Sequence, residues 1–154
     1  MTISAAVEGV LERHRGRPGA LLPILHSLQD SLGHVPQQVL PEVARALNLS
    51  RAEVHGVVTF YPHFRSHPAG RRVLQVCRAE SCRTMGGEQL LEHARARLGC
   101  SAEHHHAADG QWSVEPVYCL GLCAQSPAAM IGDRLHARLT PARLDRLIEA
   151  ESAR

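Results

Sequence analysis

Four of the five cysteines fall in two close pairs, Cys77 with Cys82 in CRAESC and Cys119 with Cys123 in CLGLC. Four residues separate the members of the first pair and three those of the second, so each pair occupies a short stretch of chain that can present two thiolates to one centre. Two such pairs make the donor set of a [2Fe-2S] cluster, which takes two thiolates at each iron. The same spacing also lies within the range of a structural zinc site built from four cysteines. Zinc knuckles more often leave two residues between ligands and neither pair does, which favours iron-sulfur and leaves zinc open. A disulfide framework needs an oxidising compartment, and a thiol redox centre needs C-x-x-C; both are missing here. Four unrelated buried cysteines are the bland alternative. Cys100, isolated in LGCSAEHHHAADG, reads as a bystander.

Several residues near the pairs have two readings. Gly86, Gly87 and Gly121 let backbone come close to sulfur, where N–H groups tune a metal centre, or they serve turns only. Arg78 and Arg83 flank ligands and could lower a thiolate pKa, although exposed, solvated guanidinium groups are the simpler reading. His104, His105 and His106 are adjacent in sequence and cannot readily face one ion, so they read as solvated loop. Thr59, Phe60 and Tyr61 either pack against a partner or close a helix with aromatic core residues.

The elements that must place these cysteines follow from hydrophobic spacing and punctuation. Ile3, Val7, Val10 and Leu11 give a first helical stripe, and Leu21, Ile24, Leu25, Leu28 and Leu32 a second, with Pro23 in its opening turn and Gly33 as a left-handed cap. Pro41 opens a third helix that Asn48 closes. Ser50 and Glu53 form a capping box for a fourth, running toward Phe60. SHPAG is the linker, dividing an N-terminal helical domain (1–66) from a second domain (71–154). There, Arg72–Val76 reads as a strand, Gly87–Leu98 as a helix ended by Gly99, and Trp112–Tyr118 as a second strand. A hairpin of Ala128–Ile131 and Leu135–Leu139 turns at Gly132-Asp133, and a last helix is capped by Thr140 with Pro141 at its first position. The fold class is α/β: a small helical bundle followed by a compact thioredoxin-like layer with a four-stranded mixed sheet. Cys77 follows the first strand and Cys119 the second, so parallel, neighbouring strands would deliver both pairs to one edge of the sheet.

Composition excludes other classes. At 154 residues and 44% hydrophobic content the chain can bury a core, and 17 basic against 15 acidic residues leave a net charge of +2 with no basic patch for nucleic acid. Glu8 and Glu12 interrupt the N-terminal segment where a signal peptide needs an apolar run, and no stretch is long enough for a membrane span, which sets the expectation of a cytoplasmic protein without membrane insertion. No G-x-G-x-x-G fingerprint, Walker loop or activated nucleophile is present, so no site for NAD, flavin or a small substrate is legible.

The segments LPILHSLQDSLGHVP, LSRAEVHGVVTFYPHF, CRAESCRTMGG and VEPVYCLGLCAQSPAAM, which together span nearly the whole chain, resemble the gamma subunit of NAD-dependent formate dehydrogenases. That subunit is one of the thioredoxin-like [2Fe-2S] ferredoxin subunits. Related ones serve NADH:quinone oxidoreductase and NAD-linked hydrogenases, and the shared motif is C-x4-C followed by C-x3-C. The resemblance implies a [2Fe-2S] cluster on Cys77, Cys82, Cys119 and Cys123, and gives Cys100 no role. It also implies an electron-transfer subunit without catalysis of its own, working beside a flavin- and NAD-binding subunit and a large molybdenum-containing catalytic subunit.

Overall fold

The computed structural model describes residues 2–102 and 105–153. The chain divides into two compact units, Met1–Pro68 and Ala69–Arg154.

The first unit is built from four helices, α1 (Ile3–Arg13), α2 (Leu21–Leu32), α3 (Leu40–Leu47) and α4 (Arg51–Phe60), with a single 3-10 turn at Gln37–Val39 leading into α3. The punctuation works as its chemistry requires. The Thr2 hydroxyl accepts from Ala5 N–H, Gly33 ends α2 at φ +77°, and Asn48 ends α3 at φ +53°. Ser50 and Glu53 make both bonds of the capping box. Val7, Val10, Ile24, Leu25, Leu28, Leu40, Val43 and Val54 form the core of this unit. The buried Gln29 amide pins the end of the unit by donating to His63 O at 2.8 Å and accepting from Arg65 N–H at 2.7 Å, so neither polar end is left bare. Of the two readings of Phe60, the core one does not hold: it is 75% exposed, while Phe64, four residues on, takes the buried position.

The second unit carries the sheet. Its elements in chain order are β1 (Arg72–Cys77), α5 (Glu80–Thr84), α6 (Gly87–Leu98), β2 (Trp112–Val117), β3 (Ala129–Ile131), β4 (Arg134–His136) and α7 (Pro141–Ser152). The strand order is β2-β1-β3-β4, with β1 parallel to β2 and the remaining pairs antiparallel, which is the expected mixed, four-stranded, thioredoxin-like α/β arrangement. Leu74, Val76, Val114 and Ile131 of the sheet pack with Leu90, Leu91 and Ala94 of α6 and Leu144 and Ile148 of α7. β4 stops at His136, short of the expected Leu139. Arg138 adopts φ +51° and turns its N–H to Gln125 O, and only then does Leu139 N–H return to Pro127 O. Among the described residues no helix is long and apolar enough to cross a membrane.

Candidate metal centre

Parallel pairing of β1 with β2 places Cys77 level with Val117 at the carboxyl ends of both strands. Two residues beyond Val117 comes Cys119, so the two cysteine pairs start from the same edge, as the strand reading requires. At the end of β1 the backbone is divided between both neighbours: Cys77 N–H donates to Ala128 O at 3.0 Å and Arg78 N–H to Val117 O at 2.8 Å. The central strand therefore holds the loop on either side, and Cys77, Cys82 and Ala128 form a small apolar cluster with Val117, Leu120 and Leu122 against it.

The path from Cys77 to Cys82 is not an open loop. Glu80–Thr84 forms the short helix α5, which carries Cys82 on its buried face. Periodicity cannot reveal a helix this short. Gly87, the first residue of α6, is packed on the carbonyls of both inner cysteines: a Cβ there would lie 2.7 Å from Cys82 O and 2.9 Å from Cys77 O. Close approach is the reason for glycine at this position. Gly121 has φ +77° and its N–H donates to the Cys119 sulfur at 3.4 Å, so it serves both the turn and the sulfur. Gly86 supplies a positive φ, +93°, as the cap of α6.

The two pairs differ in exposure: Cys77 and Cys82 are buried, Cys119 and Cys123 exposed. The Cys119 and Cys123 sulfurs are 3.8 Å apart. Two sulfurs bound to one tetrahedral metal through bonds of about 2.3 Å are separated by about 3.8 Å, so this pair is already spaced as ligands of a single metal. Burial pushes the Cys77 thiol up, but the N–H groups of Ala79, Leu120 and Cys119 and the Cys82 thiol outweigh it and leave its pKa below the ordinary thiol value. Those N–H donors come from both loops. Cys82 goes the other way, raised by burial and by Cys77, with the Ser126 hydroxyl opposing. Cys123 is raised by sharing a proton with Cys119 and by the charge of that neighbour, with smaller contributions from Cys82 and Cys77. Among the described residues no group of three or more His, Cys, Asp or Glu side chains is gathered around the position of one ion. The outer pair is spaced to share one metal, as each iron of a [2Fe-2S] cluster requires of its two thiolates.

The remaining candidates resolve individually. Cys100 is buried in the core of the second unit, its thiol pushed up by burial, consistent with a bystander. Arg78 is not a free, solvated arginine: its guanidinium pairs with the Glu88 carboxylate at 3.0 Å, a partner ten residues away on α6. His104 lies outside the described residues, His105 O accepts from Val114 N–H, and His106 bridges to Ser113. Sequence reasoning passed over Ser81 and Ser126, whose hydroxyls lie 2.7 Å apart beside the cysteines. A serine directly before one cysteine and another three residues after a second was the only available signal.

Comparison with known proteins supplies the context. The family model for thioredoxin-like [2Fe-2S] ferredoxin matches residues 7–152. The chain is 38% identical to a subunit of the NADH-quinone oxidoreductase of Rhizobium meliloti (strain 1021), covering 97% of this chain and 89% of that one. It is 34% identical to NADH-quinone oxidoreductase subunit 2 of Thermus thermophilus, covering 86% and 74%. Among solved structures it superposes on an NAD+-reducing [NiFe]-hydrogenase in the air-oxidised state with a TM-score of 0.66 and 32% identity, covering 92% of this chain and 24% of that chain. The chain thus spans about a quarter of the hydrogenase chain it matches. It belongs to the thioredoxin-like [2Fe-2S] ferredoxin family, whose cofactor is a [2Fe-2S] cluster.

Proposed function

We propose that this chain is the electron-transfer subunit of a multisubunit, NAD-linked oxidoreductase of the NADH-quinone oxidoreductase or NAD-reducing hydrogenase kind. Residues 71–154 form the cluster-bearing domain and residues 1–66 a separate helical domain. Cys77 and Cys82 hold the inner half of a [2Fe-2S] cluster and Cys119 and Cys123 the outer half. When bound, the cluster accepts and releases one electron at a time. The polypeptide does the rest. β1 and β2 fix the two loops at one sheet edge, the Gly121 N–H donates to the Cys119 sulfur, and Ala128, Leu120 and Leu122 pack against the inner pair. The expected partner is a subunit carrying flavin and NAD in the same, cytoplasmic compartment.

The observation that carries this reading is the delivery of both cysteine pairs to one edge of the sheet by the parallel β1–β2 pair, with the Cys119 and Cys123 sulfurs 3.8 Å apart. It is tested by anaerobic preparation of the chain, which should contain two irons and two acid-labile sulfides and give an EPR signal after reduction. Cys119→Ser should abolish that signal. One zinc and no reducible absorbance would overturn the reading.

A second reading keeps the formate dehydrogenase branch, with a molybdenum-containing catalytic subunit as a further partner. It is favoured by the residues around the ligands, CRAESCRTMGG and EPVYCLGLC. The relatives named above support the quinone oxidoreductase and hydrogenase kinds instead. Co-purification of the native complex, followed by assay for molybdenum and nickel, separates the two.

A further inference from the structure

We propose that Ser126 is a positioning residue that donates its hydroxyl hydrogen to the Cys82 sulfur when that sulfur is a metal ligand, with Ser81 as the spare donor that releases it. This rests on the assignment of Cys82 as a ligand given above.

Ser126 Oγ lies 3.5 Å from Cys82 Sγ, 2.8 Å from Cys123 O and 2.7 Å from Ser81 Oγ. Ser81 Oγ in turn lies 2.9 Å from Cys123 O. One serine belongs to α5, directly before Cys82, and the other follows the second cysteine pair, so the two hydroxyls tie one ligand loop to the other.

The hydrogens can be counted. Each hydroxyl has one to give, and a thiol has one. In the thiol form Cys82 S–H donates to Ser126 Oγ, and the Ser126 hydrogen is free for the Cys123 carbonyl. Ligation sends the thiol proton to solvent and leaves a sulfur that can only accept. The Ser126 hydrogen must then turn to the sulfur for that contact to survive. Ser81 makes the turn inexpensive, because its own hydrogen reaches either the vacated Cys123 carbonyl or the Ser126 oxygen. Without Ser81 the carbonyl competes with the sulfur for a single hydrogen.

A hydrogen bond to a ligand sulfur favours the more negative, reduced state and raises the potential. The consequence is measurable on the full chain, cluster-loaded under anaerobic conditions, by potentiometric titration followed by EPR. Ser126→Ala should load two irons and shift the one-electron equilibrium about tenfold toward the oxidised form, a fall of about 59 mV in midpoint. Ser126→Thr, which keeps the hydroxyl, should hold the midpoint of the unaltered chain, and Ser81→Ala should lower it by less than Ser126→Ala. A fully loaded Ser126→Ala with an unchanged midpoint overturns the inference. If Ser126→Ala does not load, Ser81→Ala decides, and a midpoint equal to that of the unaltered chain overturns the inference. Failure of the unaltered chain to bind iron and sulfide overturns the ligand assignment itself, a result that no serine variant is needed to read.

Discussion

Replacing Gly87 by alanine sets two known effects against each other at one position. Gly87 opens α6, and alanine in a helix is favoured over glycine by at most about 1 kcal/mol. Against this, the new methyl would sit 2.7 Å from Cys82 O, 2.9 Å from Cys82 C and 2.9 Å from Cys77 O, all backbone atoms. Ordinary contact begins near 3.4 Å, so the Cys82 carbonyl must retreat by about 0.7 Å. It cannot do so freely, because α5 and the end of β1 are hydrogen-bonded on both sides. Overpacking of this kind costs about 1–3 kcal/mol, so the net expectation is a loss of about 1–2 kcal/mol in the second unit. Trp112, the single tryptophan and a buried residue of that unit, reports its unfolding by fluorescence. With a urea dependence of about 1–3 kcal/mol per M, the Trp112 transition should move down by roughly 1 M, and on the proposed ligand assignment cluster loading should fall because the backbone of both inner cysteines is displaced. Gly56 in α4 is the control. Nothing lies within 4 Å of a Cβ there, so Gly56→Ala should stabilise the first unit by about 0.5–1 kcal/mol and leave the Trp112 transition in place. A Gly87→Ala chain whose Trp112 transition stays or rises, with normal iron content, would refute the close-packing account.

Two further outcomes concern the second unit. Leu144→Ala removes a fully buried α7 side chain from the apolar cluster and should cost about 2–5 kcal/mol, read as an earlier Trp112 transition in urea. His136 has its pKa lowered by burial, with Arg134 and Arg143 adding to the effect. Below its ordinary value near 6.5 the unfolded chain therefore takes up a proton that the folded chain resists, and stability falls as the pH drops through and below that value. Comparing Trp112 urea midpoints at pH 7 and at about pH 5.5 should show a smaller acid-side loss in His136→Asn than in the unaltered chain. Equal losses would show that His136 is not the group responsible.

Where one residue type answers one local requirement, the sequence was a sufficient guide. Gly33 and Asn48 end helices in the left-handed region, Ser50 with Glu53 starts one, and Leu21 to Leu32 repeat at helical spacing. The cysteine pairs were readable for the same reason, since two short spacings after two strands constrain where sulfur can go. What stayed hidden depended on partners distant in sequence. Glu88 neutralises Arg78 only because α6 returns beside the end of β1. α5 forms because its cysteine is drawn into the apolar cluster, not because its residues repeat. Phe60 and Phe64 both suit a core by composition, and packing within the first unit selects Phe64. The shortened β4 follows from a backbone bond between Arg138 and Gln125 that no side-chain pattern encodes.

The unequal burial of the cysteines gives the site a front and a back. Cys77 and Cys82 stand at 2% exposure each against the apolar cluster, whereas Cys119 and Cys123 face outward. A donor or acceptor approaching through water has its shortest route at the outward sulfurs. An alkylating or oxidising reagent, or a chelator, also meets them first, so attack should begin at CLGLC and reach CRAESC only after the loop has opened.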